Sequence, residues 1–451
     1  MIRKLLRRVF SKAPAAGVGE AALIPFERHG IRREAVSPGA RHTVARLQEH
    51  GHAAYVVGGA VRDLLAGIAP KDFDVATDAT PEQVRALFRR SRIIGRRFRI
   101  VHVMSGGETI EVSTFRAANG SETETDTHGR VLRDNAFGSI AEDAARRDFT
   151  INALYYNPAD ETITDYHHGV ADLQEKALRM IGDPRSRYRE DPVRMLRAVR
   201  LAAKLGLAID PAARAPIREM AALLENVPAA RLLDEMLKLL LSGHAVACLR
   251  QLREEGLHHG LLPLLDVIME QPLGERFVWL SLASTDARVK AGKRASPGFL
   301  FATLLWHEVL AAWAARKQAG EAAIPALHAA MDEVLDLQGG KLAITRRIAA
   351  DIKEIWLLQP RLENRAGRRP LRVVEQPRFK AGFDFLLLRA ESGEVDGELA
   401  DWWRRFIDAD TEARLAMLAP EKKPGRRRRG RRKPAGAGQP AAAGEGADGE
   451  A

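Results

Sequence analysis

The spacing of the apolar residues changes once along the chain, near Asp191, and this change constrains the fold more than any other feature. Over residues 53–116, strand-like runs such as AAYVVGG and DFDVAT alternate with short helical runs. Beyond Asp191 the strand pattern nearly vanishes, and Ala- and Leu-rich runs at helical spacing continue to about Leu418. The sequence therefore predicts an α+β N-terminal domain, a mixed sheet with helices, followed by an all-α C-terminal helical array.

The length of 451 residues exceeds what one hydrophobic core usually supports, so we expect several domains. The single cysteine, Cys248, excludes an intramolecular disulfide and favours a reducing compartment, the cytoplasm. We find no run of about 20 apolar residues and predict no transmembrane segment. The polar stretch 117–135 has no periodicity and is expected to be a long mobile loop.

Most of the positive charge lies at the two ends of the chain. The net charge is +11, of which residues 1–12 and 420–451 each carry +5. Such ends favour a polyanionic partner, nucleic acid first and anionic lipid second. Residues 1–12 suit weak peripheral contact with a membrane, although a disordered arm explains them as well. In the tail, sequence-independent RNA contacts are predicted for Arg426, Arg427, Arg428, Arg429, Arg431 and Arg432.

Two carboxylates, Asp72 and Asp74, stand two positions apart in a predicted strand and should point to the same face. Hard oxygen ligands of this kind suit Mg²⁺. Glu111 occupies the polar face of another predicted strand and adds a third ligand if the two strands are neighbours. Three carboxylates of this kind can hold two metal ions. An isolated D-x-D is more often a solvated strand edge, and Glu111 alone would be a surface residue.

Two further motifs carry groups that bind phosphate or nucleotide. Gly58 and Gly59 lie at a strand-to-helix turn, where backbone N–H groups receive phosphate, and Arg62 follows. An ion pair between Arg62 and Asp63 is the structural alternative. The turn does not match a dinucleotide-binding or P-loop pattern. The segment RRDFTIN supplies Arg147, Asp148 and Asn152, groups that bind phosphate, ribose and base edges or else cap a helix.

A basic stripe follows Asp191, which we expect to cap a helix with Pro192 in its first turn. Arg194, Arg197 and Arg200 recur every three residues and should share one face. Such a stripe is often solvated, but beside a phosphate site it binds nucleotide or RNA. The neighbouring histidines His258 and His259 show no matching set of ligands in the sequence, so we assign them no metal.

Taken together, these motifs resemble the nucleotidyltransferase superfamily that contains DNA polymerase β. The resemblance is closest to the branch shared by bacterial poly(A) polymerases and CCA-adding tRNA nucleotidyltransferases. It rests on five motifs in the family order, within residues 55–205: VGGAVRD, KDFDVAT, IEVSTFR, RRDFTINALYY and REDPVRMLRAVR. The resemblance implies a catalytic head domain at 41–182, a nucleotide- and RNA-binding neck at 183–270 and a helical RNA-binding domain at 271–418. A flexible arm (1–40) and a disordered Arg-rich tail (419–451) complete the expected organisation.

The resemblance also implies the roles of the site residues. Asp72, Asp74 and Glu111 correspond to the metal-binding catalytic carboxylates, and Asp148 to an aspartate near the ribose that is sometimes counted with them. Asp191 and Arg194 match the pair that reads the incoming base in place of a template. The remaining nucleotide-binding residues are Gly58, Gly59, Arg62, Arg147, Asn152, Arg197 and Arg200. The reaction implied is attack of an RNA 3′-hydroxyl on the α-phosphate of ATP, with two Mg²⁺ ions and release of pyrophosphate.

Three features resemble the bacterial poly(A) polymerase type and so favour polyadenylation over CCA addition: the segment SRIIGRRFRIVHVM, the segment KDFDVATDATPEQV, and the basic run GRRRRGRRKP. An enzyme that extends RNA of any sequence needs sequence-independent phosphate contacts, which an Arg-rich tail supplies. The expected partners are ATP, RNA 3′ ends and proteins of RNA turnover. A CCA-adding enzyme remains the alternative, and an inactive RNA-binding protein on the same scaffold is the alternative from a different class.

Overall fold

A computed structural model describes most of the chain: residues 20–95, 99–117, 124–125, 131–133, 136–259, 261–262 and 264–418. The strands are β1 (Ala22–Ile24), β2 (Ala54–Val57), β3 (Asp74–Thr77), β4 (Ser91–Ile94), β5 (Ile100–Ser105), β6 (Glu108–Thr114), β7 (Glu124–Thr125), β8 (Val131–Arg133), β9 (Leu154–Asn157), β10 (Thr162–Asp165), β11 (Ala177–Leu178) and β12 (Ala208–Ile209).

Helices of the N-terminal half surround these strands, and helices alone build most of the C-terminal half. In the first half they are α1 (Phe26–His29), α2 (Pro38–Glu49), α3 (Gly59–Leu65), α4 (Pro81–Leu87), α5 (Ile140–Ala145), α6 (Gly169–Gln174), α7 (Pro184–Glu190), α8 (Val193–Leu205) and α9 (Pro211–Met220). They continue as α10 (Ala229–Leu240), α11 (Ala245–Glu254), α12 (Leu265–Glu270), α13 (Pro272–Lys290), α14 (Pro297–Gln318), α15 (Ala323–Gly339), α16 (Arg346–Glu363), α17 (Arg369–Val374), α18 (Phe379–Ser392), α19 (Gly397–Asp408) and α20 (Thr411–Ala416).

Eight strands form one mixed sheet in the order β1-β10-β9-β2-β3-β6-β5-β4. Strand β3 pairs in parallel with β6, and the other neighbours in the sheet pair antiparallel. The parallel pairing places Asp74 directly opposite Glu111. Glu111 was expected to add a third carboxylate only if its strand lies next to that of Asp74, and β3 and β6 are indeed neighbours.

Local sequence signals account for the elements next to the site. Strand β2 ends at Val57, immediately before Gly58, whose φ of 69° and ψ of −126° suit glycine far better than other residues. Helix α4 starts where the sequence predicts it, because Thr80 and Gln83 form a reciprocal capping box ahead of Pro81. The mixed sheet followed by helices confirms the predicted fold class.

The neck helices pack on the head through one continuous core. Phe149 and Ile151 of the head belong to the same buried cluster as Val193 and Leu196 of α8, and this cluster extends to Phe385 in α18. A separate cluster, which includes Val56, Val75 and Val112, lies under the sheet. The shared core fixes α8 against the head, so the basic stripe on α8 has a defined position.

Four expectations need correction. Residues 20–40 are not a flexible arm: β1 pairs with β10, and Ile31 and Val36 are buried in the sheet-side core. Asp72 precedes β3 rather than lying within it. Asp191 does not cap α8, since it ends α7 while Pro192 stands at the N-cap. Within the expected loop 117–135, β7 and β8 form an antiparallel pair.

Helix α14 also departs from expectation, because it is long and apolar enough by composition to cross a membrane. In the structure 56% of its most apolar window is buried within the fold. Leu304, Leu305 and Trp306 of this helix are each at most 2% exposed and belong to the main core. Its apolar composition is therefore accounted for by packing against other helices.

Candidate active site

A cleft of about 770 Å³ is lined on one side by residues of the head and on the other by residues of helices α8 and α10. Its walls carry eleven Lys or Arg residues and six Asp residues, so the cleft is strongly cationic around a few carboxylates. Most site residues predicted from the sequence line it: Gly58, Gly59, Arg62, Asp72, Asp74, Arg147, Asp148, Asn152, Asp191, Arg194, Arg197 and Arg200. The structure thus brings together residues that are up to 142 positions apart in the chain.

Two of the three predicted metal-binding carboxylates, Asp72 and Asp74, line the cleft. Asp74 opens β3, Asp72 precedes it, and partly buried Phe73 packs against the sheet-side core between them. Burial, Glu111 and Asp72 raise the pKa of Asp74 to about 6, and Arg147 opposes them. Like charges that disfavour each other's ionisation in this way favour a cation between them. The donor set therefore fits a divalent metal ion.

Glu111 is in register with Asp74 but is not among the residues that line the cleft. One of its oxygens, Oε1, lies 3.3 Å from Nε2 of His102, its cross-strand neighbour on β5. Glu111 is therefore positioned beside the aspartates, with a histidine as its present partner. Its assignment as a ligand stays a prediction.

The glycine turn brings the start of α3 to the cleft. A Cβ on Gly58 would lie 3.2 Å from Nη1 of Arg147, so a side chain there would crowd the arginine as well as strain the backbone. Arg62 is buried and donates through Nη1 to Oδ1 of Asn152 at 2.6 Å, and through Nη2 to Asp63 at 2.6 Å. The ion pair with Asp63, offered above as the structural alternative, is thus present in the structure.

The segment after α5 forms a buried network of hydrogen bonds around two aspartates. Arg147 donates through Nη2 to Asp143 at 3.0 Å, and the Tyr155 hydroxyl donates to the same carboxylate at 2.8 Å. Asp148 accepts through Oδ1 from the Phe149 amide at 2.8 Å and from Asn152 at 3.0 Å. Its other oxygen, Oδ2, lies 3.2 Å from Nη1 of Arg197.

Asp148 keeps its charge although it is only 6% exposed. Burial acts to raise its pKa, but Arg197, Asn152 and the Phe149 amide outweigh burial and lower the pKa to about 2. An acid with a depressed pKa stabilises the folded state above its unfolded pKa of 3.8, and this contribution is lost as the pH falls toward 2. Asp148 thus links the head to α8 at neutral pH.

We expect Asp148→Asn to lower the free energy of unfolding by about 2 kcal/mol at pH 7. This difference from the unmodified protein should shrink as the pH falls from 4 to 2, where Asp148 becomes protonated. Urea titrations across this range measure it. Asp401→Asn, which removes an exposed ion pair on α19, is the control and should change little. Parallel pH profiles for Asp148→Asn and the unmodified protein would contradict the assigned ion pair.

At the neck, Asp191 accepts from Nη2 of Arg231 through Oδ2 at 2.7 Å, and its other oxygen, Oδ1, is buried without a hydrogen-bond partner. Arg194, expected to read the base with Asp191, donates through Nη1 to the Arg187 carbonyl at 2.7 Å and to Glu190 at 2.9 Å. Both residues line the cleft. Asp191 thus keeps one buried oxygen without a partner, whereas Arg194 is held by neighbouring groups.

The basic stripe on α8 faces the cleft as predicted, with Arg194, Arg197 and Arg200 half-buried and the residues between them in the core. Lys204 continues the stripe by one turn and binds Asp63 through Nζ at 2.7 Å. Lys204 was missed because its spacing from Arg200 is four rather than three. Asp143 was detectable from its i,i+4 spacing to Arg147, whereas no local signal identifies Arg231 as a partner of Asp191.

The predicted RNA-binding arginines, Arg426 to Arg432, and residues 1–12 lie outside the described part of the chain. Their assignments stay predictions.

Comparison with known proteins gives three matches to family models, in the order of the chain. Residues 54–179 match the "Poly A polymerase head domain", 206–269 the "Probable RNA and SrmB-binding site of polymerase A", and 319–435 the "Polymerase A arginine-rich C-terminus". The poly(A) polymerase I of Salmonella typhi is 46% identical over 429 residues, which cover 92% of each chain.

CCA-adding enzymes are more distant. The one from Limosilactobacillus reuteri is 37% identical over 219 residues, 49% of this chain and 53% of its own. The crystal structure of the Bacillus stearothermophilus CCA-adding enzyme in complex with CTP superposes with a TM-score of 0.55 at 28% identity, covering 82% of both chains. The chain thus shares its fold with a CCA-adding enzyme, whereas its sequence matches a poly(A) polymerase along 92% of its length.

Proposed function

Because the chain belongs to the bacterial poly(A) polymerase family, we propose that its cleft transfers AMP from ATP to the 3′ end of RNA without a template. The observation that carries this proposal is the similarity to a poly(A) polymerase I along 92% of both chains. The cationic cleft, which Asp72 and Asp74 also line, supplies what such a transfer requires: phosphate-binding groups and ligands for a divalent ion.

We propose that Asp72 and Asp74 hold Mg²⁺, as two ions, with Glu111 as the third carboxylate. The raised pKa of Asp74 supports this, since a cation would relieve the repulsion from Glu111 and Asp72. When bound, ions of this kind activate the attacking hydroxyl and neutralise charge on the leaving pyrophosphate. The bond that forms joins the RNA 3′-oxygen to the α-phosphorus, and the bond that breaks joins that phosphorus to the oxygen of the pyrophosphate.

The protein's own groups position the nucleotide. The backbone amides at the glycine turn and the stripe of Arg197, Arg200 and Lys204 bind the triphosphate between the two walls of the cleft. Asp148 has its carboxylate held by Asn152 and the Phe149 amide, and it is the group proposed to bind the ribose hydroxyls. The unpartnered oxygen of Asp191 accepts a hydrogen bond from the adenine amino group.

The share of this chain that each group of relatives matches favours polyadenylation over CCA addition. The CCA-adding relatives match about half of this chain, whereas the poly(A) polymerases match nearly all of it, including the arginine-rich C-terminal model at 319–435. The arginine-rich C-terminal model spans helices α15 to α20 and reaches into the basic run that begins at Arg426. A basic extension there suits an enzyme that holds RNA of any sequence.

The test supplies the protein with unstructured RNA and each nucleotide triphosphate singly, and separately with a tRNA that lacks its CCA end. We expect long tails from ATP and little product from CTP, measured by the length of labelled RNA on a gel. A product on the truncated tRNA that ends at CCA, without extension of unstructured RNA, would establish the alternative activity. RNA binding without incorporation of any nucleotide would support the inactive scaffold.

The setting of this reaction is also proposed. We infer a cytoplasmic enzyme, because a single buried cysteine suits a reducing compartment. Among the described residues, the helix that is apolar enough to span a membrane, α14, has 56% of its most apolar window buried. The Arg-rich tail supplies additional RNA contacts, and proteins of RNA turnover are the expected protein partners. We also propose weak membrane contact through residues 1–12, whose net charge of +5 would be attracted to anionic lipid.

A further inference from the structure

Two histidines and an aspartate converge at the far end of the neck, between α11 and α12, away from the cleft. Nε2 of His258 lies 2.8 Å from Oδ1 of Asp266, and Nδ1 of His259 lies 2.6 Å from Oδ2 of the same carboxylate. The ligand atoms of the three residues lie within 4.8 Å of one another. None of the three lines the cleft.

The two imidazoles share this carboxylate at close range. Their ring centroids are 3.9 Å apart, so two protonated rings would repel each other while one carboxylate balances only one of them. His258 is 5% exposed. An imidazole binds a metal ion through a ring-nitrogen lone pair, and one ion shared by both rings would hold them in their neutral form.

Three ligand groups face one another at this place: Nε2 of His258, Nδ1 of His259 and the carboxylate of Asp266. Imidazole and carboxylate ligands in a set of three are typical of an open zinc site, with water completing the tetrahedron.

We propose that His258, His259 and Asp266 bind one transition-metal ion of the zinc type. The sequence conceals this site, because the carboxylate lies seven positions after His259, on the next helix. The ion would join the end of α11 to the start of α12, next to the buried residues Leu257 and Leu265. Its role there is to stabilise the neck, since the site stands apart from the residues proposed for AMP transfer.

Metal binding to the full chain tests this inference directly. After the protein is stripped with a chelator, Co²⁺ is added in a background that carries Asp72→Asn and Asp74→Asn, which weakens binding in the cleft. We expect one equivalent of Co²⁺ with the strong visible absorption of a tetrahedral site, displaced by an equal amount of Zn²⁺. Weak absorption typical of octahedral Co²⁺, or no stoichiometric binding, would overturn the proposal.

His259→Ala is the informative variant, because this side chain is 67% exposed and its removal leaves the core intact. We expect about a hundredfold loss of Zn²⁺ affinity and loss of the Co²⁺ absorption. His328→Ala removes an exposed histidine of α15 and serves as the matched control, with unchanged binding expected. Equal affinity in the two variants would show that Zn²⁺ binds elsewhere, and the site would be rejected.

Discussion

Replacing Asp74 by asparagine is expected to reduce AMP incorporation by roughly a thousandfold or more, because a bound metal ion supplies several kcal/mol of transition-state stabilisation. The substitution keeps the shape of the side chain and removes the charge that a metal ion requires. It also relieves repulsion, since Glu111 and Asp72 both raise the pKa of this carboxyl. We therefore expect the variant to be at least as stable as the unmodified protein, so lost activity will not reflect unfolding.

The matched control is Asp78→Asn, which changes an aspartate just beyond the other end of the same strand. Asp78 is exposed, lies 3.3 Å from His52 and does not line the cleft. Incorporation of labelled AMP, thermal unfolding and RNA binding are measured for both variants. Full activity in Asp74→Asn would show that the carboxylates do not hold the catalytic ion, whereas loss of activity in both variants would point to a general effect of the strand.

Replacing Asp191 by asparagine is expected to lower kcat/KM for ATP by about a hundredfold and to reduce discrimination against UTP. The carboxylate accepts from Arg231 through Oδ2, and Oδ1 is buried without a hydrogen-bond partner in a residue that lines the cleft. If the amide oxygen of asparagine takes the place of Oδ2 beside Arg231, its NH₂ group faces the base. A donor there would oppose the adenine amino group and suit the O4 carbonyl of uracil.

Asp234→Asn provides the control for this second prediction. Asp234 is exposed on α10, the helix that also carries Arg231. Initial rates with ATP and UTP on the same RNA give the ratio of kcat/KM values for each variant. An unchanged ratio in Asp191→Asn would show that Asp191 does not recognise the base. An equal change in Asp234→Asn would show that the effect comes from a general disturbance of α10.

Short-range patterns predicted much of this architecture. The alternation in TIEVSTF puts Glu111 on the polar face of β6, and Thr80 with Pro81 starts α4, because each signal depends on residues close in sequence. The spacing of Arg194, Arg197 and Arg200 likewise predicted one face of α8. These features follow from the periods of strands and helices alone.

The partners of charged side chains were not predictable in the same way. Arg231 binds Asp191 across 40 positions, and Lys204 binds Asp63 across 141, distances over which no periodicity operates. The folding of residues 20–40 has the same origin, since β1 is stabilised by pairing with β10 far along the chain. Arg62 shows the limit most directly: the sequence offers its neighbour Asp63 as a partner, but only the packing of the head brings Asn152 to it, 90 positions further along the chain.

The two ion pairs that join α8 to the head, Arg197 with Asp148 and Lys204 with Asp63, have a consequence for how the cleft responds to its ligand. Both cations line the cleft, and we propose that both bind the triphosphate. On that proposal, a bound polyphosphate would compete with Asp148 and Asp63 for the same two cations. Nucleotide binding and the attachment of the neck would then be thermodynamically linked, and the departure of pyrophosphate would return both cations to the aspartates.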